Sequence, residues 1–211
     1  MRVLVGCECS GVVREAFRAA GHNAWSCDLK PATDGSRYHI QGDLLHVIRS
    51  PEWDLLIAHP DCTYLTNSAA WAYKDGPYHM RLKPGTLTGR ERRDARRKAI
   101  EFVAALWNCG IPRIAIENPV GVLSTAWRKP DQIIQPYQFG DDASKATCLW
   151  LKGLPLLKPT GYVAPRMVAG KSRWSNQTDS GQNRLSPSAD RAHLRAITYS
   201  GIAVAMAEQW V

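Results

Sequence analysis

The chain has 211 residues and a mass of 23.5 kDa, enough for one domain that buries its own core. Hydrophobic residues at 45% and charged residues at 22% exclude a disordered or fibrous chain. Lys and Arg total 27 against 19 Asp and Glu, and the net charge of +8 favours a polyanionic partner.

The opening predicts strands alternating with helices. Val3-Leu4-Val5 is a buried strand, not a signal peptide, and Gly6 to Gly11 is a turn. Val12, Val13, Ala16, Phe17 and Ala20 then recur at helical spacing until Gly21. Ala24 to Cys27 predicts a second strand ending at Asp28, and Trp53 to Ala58 another ending at His59-Pro60. Arg90 to Asn108 reads as a long amphipathic helix, and Arg113 to Ile116 as a strand ending at Glu117-Asn118-Pro119. This alternation implies an α/β fold: a Rossmann-like, mostly parallel, doubly wound sheet of seven strands. Its functional rim is the C-terminal edge of the strands. The segment 152–186 is expected to form a small basic flap, and 189–211 a helix returning to the main domain, all within one domain spanning 1–211.

No stretch approaches the roughly eighteen apolar residues of a membrane span, so no membrane contact is expected. The six cysteines suit a reducing cytoplasm. No C-x-x-C pair occurs, so neither a zinc site nor zinc-dependent deamination is expected. Most of these cysteines read as small buried hydrophobes. His59 is a site-lining candidate, whereas His22, His39, His46, His79 and His193 have no such support.

Asp28, Asp43, Cys62, Glu117 and Asn118 all sit at or just past a predicted strand end, where a doubly wound sheet gathers side chains into one crevice. Taken singly, each has a plainer reading. Asp28 and Asp43 can cap helices, Glu-Asn-Pro is a common turn, and a lone Cys after Pro is usually structural.

Jointly and in this order, the residues resemble the S-adenosylmethionine-dependent DNA cytosine-C5 methyltransferases, through short motifs spread along the whole chain. Cys7-Glu8-Cys9-Ser10-Gly11 stands where that family has F-x-G-x-G, and only Gly11 is kept. Cys27-Asp28-Leu29 is similar to the acidic motif that holds the cofactor's ribose, and Gly42-Asp43-Leu44 to the motif that contacts adenine. His59-Pro60-Asp61-Cys62 resembles the P-P-C loop with its nucleophile, Asp61 replacing the second Pro. Glu117-Asn118-Pro119 is similar to E-N-V, and Arg195 to Ala203, with Gly201 and Ile202, to the final motif beside the cofactor. The Q-x-R-x-R strand survives at best as Ala143 to Thr147, with Lys145 its one basic residue. A target-recognition domain is almost absent, as in compact phage and prophage members.

The resemblance implies S-adenosylmethionine as cofactor, DNA as partner, a monomer, and a cytoplasmic setting in a bacterial host or from a phage. Cys62 would add to cytosine C6, because a thiolate is the available nucleophile near neutral pH. Glu117, its pKa raised by enclosure, would assist at N3, with Asn118 orienting it. The target base must leave the stack. For Cys7 and Cys9 the expected role is backbone contact with the cofactor.

Two rivals stand beside this reading. An exocyclic-amine methyltransferase, acting on cytosine N4 or adenine N6, needs an aromatic residue where Cys62 stands, and Tyr64 comes two residues late. A catalytically inactive DNA-binding relative has no physical reason to keep Cys62 and Glu117 together. For DNA binding, the helix residues Arg90, Arg93 and Arg97 and the flap residues Arg166, Lys171, Arg173, Trp174 and Arg184 are the candidates. Basic residues interleaved with aromatics suit backbone tracking and base stacking with little sequence specificity, on single strands as well as duplex. The plainer reading of Arg90 to Lys98 is a solvated helix face with internal ion pairs.

Overall fold

The computed structural model describes residues 1–50, 52–78, 81, 82, 84–188 and 190–211. His79, and Ala189 at the start of the expected C-terminal helix, lie outside the described residues. In chain order the elements are β1 (Arg2–Gly6), α1 (Val12–Ala19), β2 (Asn23–Asp28), β3 (His39–Gln41), α2 (Leu44–Val47) and β4 (Leu55–Ala58). There follow α3 (Gly89–Trp107), β5 (Arg113–Pro119), α4 (Leu123–Ala126), β6 (Gln132–Ile134) and β7 (Thr147–Lys152). A small hairpin of β8 (Arg166–Val168) and β9 (Lys171–Arg173) precedes α5 (Arg191–Ala196) and α6 (Ser200–Gln209).

The main sheet has seven strands in the order β3-β2-β1-β4-β5-β7-β6. The pairs from β3 to β5 are parallel, and β7 runs antiparallel to both β5 and β6. The central strands are continuous apolar runs because helices cover both faces. Side-chain alternation divides them: Val3, Val5 and Ile57 pack with Phe17 of α1 and Met206 of α6, while Leu4, Leu56 and Ile116 pack with Val103 and Leu106 of α3. Each of these large side chains is sealed from solvent, worth roughly 1.5–3 kcal/mol apiece.

The chain reverses direction in sheet order after β3, which puts the switch point between β1 and β4. Strands β2 and β3 lie to one side of β1, and β4 and β5 to the other. The loops after β1 and β4 therefore open at the same edge, which is where such sheets hold ligands. The first loop is built to stay open: Gly11 caps α1 at φ 77°, and the Glu8 carboxylate accepts the Val13 amide at 2.7 Å and the Arg14 amide at 3.3 Å. Arg14, wholly buried, ties α1 to β2 through Ser26 Oγ at 2.8 Å.

Three expectations need correction. The C-terminal segment is two helices, α5 and α6, not one. The break at Ile197, whose ψ is 132°, lets Thr198 turn its hydroxyl toward Glu117. Residues 143–146 form a loop, with strand structure starting only at Thr147. The flap begins one residue later than expected, because Lys152 completes β7. Among the described residues, no helix is long and apolar enough to cross a membrane.

Gly201 sits where α6 approaches the turn after the 3₁₀ segment Pro136–Gln138. Its amide donates to Asp141 Oδ2 at 3.0 Å, and a Cβ there would overlap the Phe139 carbonyl oxygen. Gly201→Ala should therefore cost about 1–3 kcal/mol by overpacking, lowering the melting temperature by several degrees. An unchanged melting curve would contradict this close approach.

Candidate active site

The site is assembled on adjacent strands. After β4 the chain runs His59-Pro60-Asp61-Cys62, and the His59 amide donates to the Gly6 carbonyl at 2.9 Å, holding this loop against the end of β1. Asp61 shapes the turn: its Oδ1 accepts from the Thr63 amide at 2.9 Å and the Thr63 hydroxyl at 2.7 Å. The Cys62 carbonyl then accepts from the Leu65 and Thr66 amides, both at 3.0 Å. From β5, Asn118 Nδ2 donates to the Pro60 carbonyl at 2.7 Å, in a buried contact. So the end of β5 carries Glu117 and also grips the cysteine loop.

Two further braces were not legible in the sequence. Arg96 of α3 donates to the carbonyls of Tyr64 at 2.9 Å and Thr66 at 3.0 Å, so part of the basic helix anchors the Cys62 loop from behind. The Val122 amide donates to the Leu65 carbonyl at 2.8 Å, closing the loop onto the segment after β5.

Glu117 is buried and makes a 2.7 Å contact from Oε2 to His59 Nδ1. The Thr198 hydroxyl lies 3.4 Å from the same oxygen. Burial pushes the Glu117 carboxyl up, but the His59 hydrogen bond and charge, with Lys145 and Thr198, outweigh it and hold the group below its ordinary value. The expectation that enclosure raises Glu117 is thus reversed. The sequence marks His59 as lining the site but not its contact with Glu117. Conversely, burial depresses His59, yet the Glu117 hydrogen bond and charge, reinforced by Glu8, carry its pKa above the ordinary value.

Burial raises the Cys62 thiol, and the Asp61 carboxylate adds to this; Lys145 and Arg195 pull it down. Lys145 also fixes the C-terminal segment, donating from Nζ to the Arg195 carbonyl at 2.9 Å. Cys62, Glu117, Asn118, His59 and Lys145 therefore form one constellation.

The other candidates fall into two groups. Cys7, Glu8, Cys9 and Ser10 line a narrow cleft with His59, closed on the far side by Ala196 to Thr198. Cys7 has a left-handed backbone (φ 58°), and burial, with the charge of Asp28, pushes its thiol up to about 12, so it stays protonated. Asp28 Oδ1 accepts from the Lys30 amide, and Asp43 Oδ1 caps α2 through the Leu45 amide, both at 2.9 Å. Leu29 is 75% exposed, whereas Leu44 is buried over Gly6. Gly201 and Ile202 pack against the Phe139–Asp141 turn and in the core.

The basic residues are largely engaged within the protein. Arg90 and Arg97 pair with Asp94 at 3.9 and 3.1 Å, and Arg93 with Asp75 at 3.1 Å, which is the plainer reading of this run. In the flap, Arg166 pairs with Asp179 at 2.6 Å, Arg173 donates to the Asp179 carbonyl at 3.0 Å, and Arg184 to the Gln177 carbonyl at 3.2 Å. Trp174 stacks on Tyr137 at 4.2 Å and donates to the Val163 carbonyl, so it is a flap anchor with one face occupied. Tyr162 is an exposed aromatic, and Lys158 and Lys171 are exposed lysines. Between flap and α5 lies a groove of about 330 Å³ bordered by Asn176, Arg184, Arg195 and Tyr199.

No family model and no curated protein matches the chain. Solved structures do. The methyltransferase EhMeth of Entamoeba histolytica superposes with a TM-score of 0.51 at 12% identity, over 78% of this chain and 58% of that one. A prophage-encoded protein of E. coli, described as a DNA modification methyltransferase, gives 0.47 at 11% identity over 77% and 52%. A DNMT2 variant of Spodoptera frugiperda gives 0.43 at 10% identity over 82% and 57%. The chain spans just over half the length of these structures. With the sheet order above, the likeness to EhMeth establishes the Rossmann-like, class I methyltransferase fold.

Because Asp61 raises the Cys62 thiol, Asp61→Asn should shift its alkylation to lower pH and speed iodoacetamide labelling at neutral pH by roughly twofold, the modest effect of an exposed charge. Peptide-resolved mass spectrometry distinguishes Cys62 from the other thiols. Slower labelling of the variant would contradict the assignment.

Proposed function

We propose that the chain transfers a methyl group from S-adenosylmethionine to C5 of cytosine in DNA, with Cys62 as nucleophile and Glu117 assisting at N3. The observation that carries this reading is the 2.7 Å hydrogen bond from Asn118 to Pro60, which joins the cysteine loop to the strand bearing Glu117. A nucleophile and an acid–base group tied together at the C-terminal edge of a class I methyltransferase sheet are what addition to a pyrimidine ring requires.

The residues fit the cofactor. His59 Nε2 is buried and without a hydrogen-bond partner among the described residues, in the cleft that Cys7 to Ser10 line. Asp28 and Asp43 each keep a second carboxylate oxygen for hydroxyl or amino groups. The loop from Cys7 to Gly11, with Asp28, Asp43 and Pro60, would hold the cofactor; Leu29 and Leu44 would flank it. Gly201 and Ile202 would support this wall by packing. When bound, S-adenosylmethionine supplies an electrophilic sulfonium methyl for the C5 that Cys62 addition makes nucleophilic.

The chain's own residues do the rest. Lys145 and Arg195 favour the Cys62 thiolate, which adds to C6. Electron density moves toward N3, where Glu117 would relay a proton. Loss of the C5 proton and expulsion of the thiolate then restore the ring. Asn118 keeps the two participants in register.

DNA binding would come from exposed cations of α3 and the flap, with Tyr162 offered for stacking. Most flap arginines already bind the flap's own carbonyls and carboxylates, which leaves few groups for reading base edges and supports low sequence specificity. A single strand also spares the few kcal/mol of unpairing.

Cys62→Ala should reduce methyl transfer below detection while leaving cofactor binding intact. DNA carrying 5-fluorocytosine should trap a covalent adduct on Cys62, on a single strand at least as fast as on duplex, because fluorine blocks elimination. Full activity in the alanine variant contradicts the mechanism; trapping confined to one duplex motif contradicts the low specificity.

A further inference from the structure

The proposed chemistry assigns no task to His59, yet this imidazole is the closest partner of Glu117. Its Nδ1 lies 2.7 Å from Glu117 Oε2, and its Nε2 is buried without a partner among the described residues, in the cleft lined by Cys7 to Ser10. Its backbone is held against Gly6 at 2.9 Å, so the ring bridges the ends of β1 and β5. One nitrogen meets the carboxylate and the other is buried without a partner among the described residues.

We propose that His59 is the positioning residue of Glu117, holding one carboxylate oxygen so that the other faces the base and passing it the proton that N3 receives. This rests on the cytosine reading above and deepens it.

The surrounding charges suit that task. Glu117 faces the ring from β5, Glu8 from the loop after β1, and Lys145 from the loop before β7, while the Thr198 hydroxyl meets Glu117 from the C-terminal segment. Two carboxylates against one ammonium favour the imidazolium. A carboxylate held below its ordinary pKa is by itself a poor proton donor near neutral pH. Paired with an imidazolium, it has a transferable proton at hand.

The proton balance closes. As the Cys62 thiolate adds to C6, the Glu117 carboxylate takes the Nδ1 proton and gives it to N3, leaving His59 neutral and Glu117 again ionised. After methylation the C5 proton leaves to water, the C6–sulfur bond breaks to release thiolate, and the N3 proton returns through Glu117 to Nδ1.

The test compares the pH dependence of kcat for wild type and His59→Gln, using methyl transfer to cytosine-containing DNA. Glutamine can still donate a hydrogen bond to Glu117 but cannot titrate. Wild-type kcat should rise with pH as Cys62 ionises and level off once His59 loses its proton. In H59Q it should be lower by about 10²-fold at neutral pH, at the low end for general acid catalysis, and should keep rising through that range, with KM for DNA within about threefold of wild type. A uniform loss with an unchanged profile means a merely structural role and overturns the proposal, as does an unchanged kcat. If the wild type transfers no methyl to cytosine C5, the functional reading itself fails, which the wild-type arm shows separately. Should H59Q not fold, NMR titration of His59 in the wild type and in Glu117→Gln decides. A raised imidazole pKa that drops in E117Q supports the pairing, and one at or below the ordinary value in the wild type overturns it.

Discussion

The site depends on one buried hydrogen bond, from the Asn118 amide to the Pro60 carbonyl. Loops that leave neighbouring parallel strands diverge unless something holds them. Here the end of β5 holds the end of β4, and the carbonyl has no water to turn to. Leaving such a buried acceptor unpaired costs about 1–3 kcal/mol. The same loop is gripped from behind by Arg96 and from the side by Val122, so Cys62 is fixed from three directions while its thiol remains only partly covered.

That arrangement explains why the electrostatics matter as much as the geometry. Burial raises every thiol near the crevice, and the neighbouring Asp28 and Asp61 raise some of them further. Among Cys7, Cys27 and Cys62, only Cys62 has cationic neighbours, Lys145 and Arg195, pulling the other way. Cys9 also meets a cation, Lys30, so charge alone does not single out Cys62; its place in the loop after β4 does. Lys145 also latches the C-terminal segment through the Arg195 carbonyl.

Much of this was legible in the sequence, for a physical reason. Central strands such as Val3-Leu4-Val5 and Leu55–Ala58 are buried on both faces and read as unbroken apolar runs, and polar residues at their ends mark the crevice. The short edge strands β3, β6, β8 and β9 were not legible, because three residues carry no period. Nor was the fate of the arginines: helical spacing lets Arg90 and Arg97 reach Asp94 or leave it, while the partner of Arg93, Asp75, lies 18 residues back in the chain. His59 was visible as a neighbour of Cys62, but its contact with Glu117 spans 58 residues and leaves no local trace. The break at Ile197, which frees Thr198 to meet Glu117, is equally a tertiary effect that helix propensity cannot foresee.

The fold alone admits methylation of a ring carbon or of an exocyclic amine, and the two differ in what the loop after β4 must provide. A carbon target needs a nucleophile to break aromaticity, whereas an amine already has its lone pair. The most direct test is therefore the identity of the product: DNA incubated with the protein and methyl-labelled S-adenosylmethionine, then digested and analysed as nucleosides. The label is expected in 5-methylcytosine. Label in N4-methylcytosine or N6-methyladenine, with none in 5-methylcytosine, would contradict the account.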